Sequence, residues 1–191
     1  MTFSPAVVKD KRTAWLSNRI SRCYFSPIKR PPFNRDELAD GIDYYPEPYL
    51  QRLHDECING LWITIEFEDL LAHPERFAKL KSVSERCEKF GIKVWLFAIE
   101  PKAVDVRGGR YGESPNLFPC GNPWDSSKRL WCASDARTLK YLHDSIREIF
   151  SRVPALGGLL AITHGERACS CFSAFGATDD MAVPDCPVCA K

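Results

Sequence analysis

Four carboxylates and a histidine stand where short apolar runs of the chain end. Glu66 stands near the end of LWITIEF and Glu68 follows it, Glu100 follows IKVWLFAI, and His164 and Glu166 follow LLAIT in the tripeptide HGE. Carboxyl groups gathered in this way suit hydrolysis of a glycosidic bond. That reaction needs one carboxyl with a raised pKa to protonate the leaving oxygen, and a second group that acts as base or nucleophile or is replaced by the substrate's own acetamido group. Glu166 is the candidate acid, the alternative being a solvated loop carboxylate paired with Arg167. His164 and Glu166 share a face if extended backbone continues through Gly165, because strand side chains alternate with period two. Glu66 and Glu100 are candidates for substrate contact, or else for salt bridges and hydrogen bonds at the rim of the site.

Arg22, inside the apolar run RISRCYF, needs a carboxylate or a polar ligand to offset the desolvation of its guanidinium. A sugar hydroxyl would serve; an outward-facing Arg22, or one paired with a rim carboxylate, is the other reading. Trp124, Trp131 and Tyr111 lie in one long irregular stretch, where they either form a stacking platform for a sugar ring or pin the loop down.

The chain has nine cysteines. The number is odd, and Cys23, Cys57, Cys87, Cys120 and Cys132 are scattered, so no disulfide framework is written here. Cys57 and Cys87 fall on the apolar faces of predicted helices, as small hydrophobes. Cys169, Cys171, Cys186 and Cys189 form two close pairs, C-S-C and C-P-V-C, which could chelate a structural zinc ion as two claws of a tetrahedron. Free thiols, or a disulfide formed on oxidation, are the alternatives.

The elements that must position these groups follow from periodicity and punctuation. Strands are predicted over 19–25, 61–67, 92–99 and 159–163. A helix opens at Pro46 with Leu50, Leu53 and Cys57 on one side and stops at Asn59 and Gly60. A second opens at Pro74 with Phe77, Leu80, Val83 and Cys87, and ends at Gly91. A third is capped by Ser134 and carries the stripe Leu139, Leu142, Ile146, Ile149 and Val153. Residues 101–131, rich in proline and glycine, read as a lid or binding loop. Strands and helices alternate, which requires right-handed crossovers and a parallel sheet.

A nucleotide-binding doubly wound sheet would place a glycine-rich turn after the first strand, and this chain has SPIKRPPFN there. The strand-to-helix links are long and the helix-to-strand links short, which fits a barrel with its site at the C-terminal ends of the strands. The fold class expected is α/β, a partial TIM-type (β/α) barrel of about four parallel units. A closed barrel takes roughly 250 residues, so the C-terminal half is expected to be absent and the chain to be a fragment.

Composition narrows the partners. The 191 residues are 45% hydrophobic and 27% charged, with 26 basic against 25 acidic residues. Such interleaved charge offers no field to hold a polyanion, so nucleic acid is not expected. No apolar run is long enough to span a membrane, and the first residues lack the apolar core of a secretory signal. The expected address is the cytoplasm.

The segments RCYFSPIKRPPF, YLQRLHDECINGLWITIEFEDL, GIKVWLFAIEP, LWCASDARTLKYLHDSIREIFSRVPALGGLLAITHGE and CPVC resemble the N-terminal half of a group of bacterial glycoside-hydrolase-like proteins, similar in layout to β-N-acetylhexosaminidase barrels. The resemblance implies a carbohydrate substrate and no cofactor for catalysis. It also implies that Glu166 is the general acid, assisted by the substrate's acetamido oxygen, and that Arg22 binds sugar hydroxyls. Gly165 stands where that family carries an aspartate. On this reading 1–18 is an N-terminal extension, 19–168 is half of a barrel, and 169–191 is a cysteine-containing tail. Open sheet edges then predict self-association.

Overall fold

The computed structural model describes residues 16–22, 36–101, 104–105, 120–121, 127–162, 171, 186 and 188–189. Its elements, in chain order, are β1 (Ile20–Arg22), α1 (Glu47–Asp55), β2 (Gly60–Thr64), α2 (Phe67–Ala72), α3 (Pro74–Lys89), β3 (Lys93–Ile99), β4 (Val104–Asp105), β5 (Cys120–Gly121), β6 (Lys128–Leu130), α4 (Ala136–Arg152) and β7 (Gly158–Ile162).

Four strands form the main sheet in the order β1-β2-β3-β7. β1 runs parallel to β2, with Arg22 opposite Trp62, and β2 runs parallel to β3, with Leu61 opposite Val94 and Ile63 opposite Leu96. The backbone N–H of Gly157 donates to the Val94 carbonyl, and that of Glu100 to the Ile162 carbonyl. Both partners advance together along the chain, so β7 is parallel to β3. The expected parallel α/β sheet is therefore present, and strand order in space follows strand order in sequence. A doubly wound sheet would reverse that order at a switch point.

The described residues divide into two compact units. The first draws on Met1–Thr64, His73–Phe97 and Arg152–Leu160. In it, Leu61, Ile63, Val94 and Leu96 are all fully buried on one sheet face. On the other face Trp62 meets Phe97 at 4.5 Å between ring centroids. Trp95 lies against glycines: a Cβ on Gly158 would come within 2.4 Å of its ring, and one on Gly157 within 2.7 Å. Glycine is required there because the indole occupies the space that a side chain would need.

α1 and α3 end in the same way. Cys57 N–H donates to the His54 carbonyl and Ile58 N–H to that of Leu53; Gly91 N–H donates to Glu88 and Ile92 N–H to Cys87. Each is a Schellman turn with a left-handed residue just past the cap. In α3 that residue is Gly91 (φ 69°), as predicted, but in α1 it is Cys57 (φ 61°). Cys57 is thus not on the apolar face of a helix, and Asn59 and Gly60 do not stop α1. The amide of Asn59 instead donates to the Ser17 carbonyl, while its Oδ1 accepts from Arg19 N–H, fixing the approach to β1. Cys87 is buried on α3 as expected, and desolvation pushes its thiol up to about 12. The same helix anchors residues 36–45 through Arg76 to Asp36 at 2.9 Å and Arg86 to Asp43 at 2.6 Å.

The second unit draws on Ile65–Ala72, Ala98–Ser151 and Ala161–Lys191. The predicted strand over 61–67 stops at Thr64, and Phe67 opens the short helix α2. Part of the predicted loop 101–131 is sheet: β6 lies between β4 and β5 and is antiparallel to both. α4 buries Thr138, Tyr141, Ser145 and Ile149. Of the predicted stripe, Ile149 and Val153 are buried, Leu142 and Ile146 half-buried, and Leu139 is left 57% exposed. Tyr141 extends the buried face beside that stripe and stacks on Trp131 at 4.5 Å and 10°. The cap of α4 is Asp135, not Ser134: its Oδ1 accepts from the Arg137 backbone N–H at 2.9 Å.

Candidate functional site

Glu100 follows β3 directly and is only 4% exposed. Its Oε1 accepts a hydrogen bond from the backbone N–H of Phe67 at 2.9 Å. A carboxylate there satisfies one of the four N–H groups that the first turn of α2 leaves without an intrahelical partner. Glu100 is thereby a buried group that orients the segment following β2. Glu66 lies in that segment, half-buried, and its carbonyl accepts from Leu70 N–H at 2.9 Å. The side chain of Glu68 projects from α2, with Oε1 buried and without a hydrogen-bond partner among the described residues. Two of the three predicted strand-end positions are therefore held in the second unit by backbone geometry around α2.

Arg22 ends β1 opposite Trp62 in backbone register. Trp124, Tyr111, His164, Glu166 and Cys169 lie outside the described residues. Trp131 is 1% exposed and stacked on Tyr141, so it cannot serve as an open platform for a sugar.

The densest group of reactive side chains is made of sulfur. Cys132, Cys171, Cys186 and Cys189 hold their Sγ atoms all within 4.8 Å of one another, a buried set that could hold a metal ion. Cys189 Sγ lies 3.4 Å from that of Cys132 and 3.8 Å from that of Cys171. β6 delivers Cys132 just past its end, and the cap of α4 fixes it from the other side, where Asp135 N–H donates to the Cys132 carbonyl. Cys171 is placed by its own N–H, which donates to the Trp131 carbonyl at 2.8 Å. Cys186 and Cys189 close a turn in which Cys189 N–H donates to the Cys186 carbonyl at 3.0 Å.

Leu130 and Val188 pack against these thiols. Desolvation pushes the Cys132 thiol up to about 11, with the neighbouring Cys189 thiol adding to the rise, and pushes Cys171 up further. The Ser134 backbone N–H, donating to Cys132, works in the opposite sense. Three of the four predicted tail cysteines thus converge, and the fourth corner is Cys132. In the sequence Cys132 falls among the scattered cysteines because its partners lie 39 to 57 residues away, beyond any chelate spacing. The one available signal was its place between a short β-prone run and a helix cap.

No protein-family model and no curated protein sequence matches the chain. Among solved structures the chain is similar to TtGalA, an alpha-galactosidase from Thermus thermophilus in complex with p-nitrophenyl alpha-D-galactopyranoside. The identity is 16% and the TM-score 0.47, over 74% of this chain and 30% of that one. Among the described residues no helix is long and apolar enough to cross a membrane.

Proposed function

We propose that the chain supplies the first β/α units of a glycoside-hydrolase-type barrel and that its substrate is a carbohydrate. The observation that carries this reading is the unreversed parallel order β1-β2-β3-β7, together with buried Glu100 at the C-terminal end of β3. Parallel β/α units added in sequence are the construction of a barrel, and barrel enzymes work at that end of their strands. In the proposed reaction Glu166 protonates the leaving oxygen, and a second carboxylate or the substrate's acetamido oxygen stabilises the sugar cation. Arg22, His164, Glu66 and Trp124 contact the sugar. Glu100 acts as a positioning residue for the segment that carries Glu66.

Catalysis in this reading needs no cofactor; zinc at the cysteine cluster has a structural task. The second reading, a non-catalytic zinc-stabilised interaction domain, is compatible with the thiol cluster. We also propose self-association, supported by Leu139 at 57% and Ile162 at 39% exposure. Turnover of a panel of aryl glycosides tests the main reading. Glu166→Gln is expected to lower it by roughly 100-fold or more, the scale of a lost general acid. Undiminished turnover in that variant removes Glu166 from the site, and no turnover of any glycoside, with zinc bound, favours the interaction domain.

A further inference from the structure

We propose that Cys132, Cys171, Cys186 and Cys189 form one mononuclear tetrathiolate zinc site that fastens the C-terminal segment to the turn between β6 and α4. The inference rests on the zinc reading above, not on the hydrolase reading. It replaces the self-contained chelate of tail cysteines by a ligand set that joins two distant stretches of chain.

The first argument is metric. Zinc binds thiolate sulfur at about 2.3 Å, so the corners of its tetrahedron lie about 3.8 Å apart. Cys189 Sγ stands at 3.4 Å from Cys132 and 3.8 Å from Cys171, and no pair of the four exceeds 4.8 Å. Disulfides would pair the sulfurs at about 2.05 Å and separate the pairs. A thiol that approaches two others at nearly equal distance is placed as a vertex. An iron–sulfur cluster spreads its cysteines over several iron atoms, whereas these four sulfurs all lie within 4.8 Å of one another, close enough for one ion to reach them all.

The second argument concerns charge. Four neutral thiols, packed against Leu130 and Val188 among the described residues, offer one another only weak donors and acceptors. Zinc deprotonates them and leaves a net charge of −2 on the centre. Cys132 stands just ahead of the N-terminal end of α4, a 17-residue helix starting at Ala136, whose dipole favours that charge. Soft sulfur donors in tetrahedral array select zinc over oxygen-seeking cations.

The third argument is that the backbone already aims the ligands. Cys171 is tied to Trp131, next to Cys132, and the Cys186–Cys189 turn presents both of its sulfurs to one side. Cys169 is not needed to complete the tetrahedron.

Elemental analysis of the purified chain tests the stoichiometry, with one zinc per chain expected; iron in its place, or no metal, overturns the proposal. Alkylation of cysteines followed by peptide mapping, with and without a chelator, tests the ligand set without any variant. Zinc should protect Cys132, Cys171, Cys186 and Cys189 and leave Cys169 reactive. Protection of Cys169 with Cys132 alkylated in the zinc-loaded chain overturns it. Cys169→Ser should retain zinc in full, while Cys132→Ser should lose it. Neither readout depends on glycoside turnover, so a failed hydrolase reading leaves this result standing.

Discussion

Leu61, Ile63, Val94 and Leu96 face one another across β2 and β3 and are wholly shielded from water, whereas around Cys132 the buried set consists of Leu130 and three thiols, with Val188 and Cys189 partly covered. The first arrangement is held by apolar transfer, each side chain contributing about 1.5–3 kcal/mol. Among the described residues, the second brings four sulfurs together with Leu130 and Val188 as their apolar neighbours. The proposed bond to metal would supply there what burial of these apolar groups does not. The two regions should therefore respond to different insults, and substitution can separate them.

Leu96→Ala, in the centre of the sheet, carries the largest expected effect. It should lower the unfolding free energy by about 3 kcal/mol, within the range for a buried leucine, as read by denaturant titration, with zinc content per folded chain unchanged. Gly158→Ala should cost about 2 kcal/mol, the scale of overpacking, because the new Cβ meets the Trp95 ring at 2.4 Å. A neutral result would mean that Trp95 can turn aside.

Asp135→Ala addresses the other region and should cost about 1 kcal/mol through loss of the α4 cap. The hydrogen bond from Arg137 holds the Asp135 carboxyl below the usual carboxylate range. A carboxyl held low in the folded state stabilises fully above its unfolded pKa of about 4. That share is lost as the pH falls through the lowered folded value. The acid limb of a pH–stability profile should accordingly flatten in Asp135→Asn.

The smallest effect has the opposite sign. Cys57→Gly should stabilise the chain by about 0.5 kcal/mol, since left-handed backbone is strained for a residue with a Cβ and the extra freedom of unfolded glycine offsets part of the relief. A thermal melt that falls on this substitution would indicate that the Cys57 side chain contributes more than its backbone costs.

The parallel sheet was legible because its signals are local. Apolar runs of strand length, prolines opening α1 and α3, and Gly91 all act within a few residues. The errors came where distant partners decided the outcome. Tyr141, by stacking on Trp131, widened the buried face of α4 beyond the predicted stripe, from which Leu139 alone turned out to be exposed. A non-glycine residue took the left-handed turn after α1, where composition pointed to Asn59 and Gly60. Cys132 joined the thiol cluster through contacts that no spacing rule reaches. Of the carboxylates, position at strand ends was readable for Glu66 and Glu100, but the bond from Phe67 to Glu100 depends on a short helix whose first residue looked like strand.

The matched turns after α1 and α3 return the chain to the next strand within a few residues, at Gly60 and Lys93, and their hydrogen bonds leave no slack. An added residue at either place would shift the following strand against its neighbour and turn its inward side chains outward. Added length should therefore be tolerated at the opposite end of these strands and not at the turns, so that changes in what such a chain recognises would be made there.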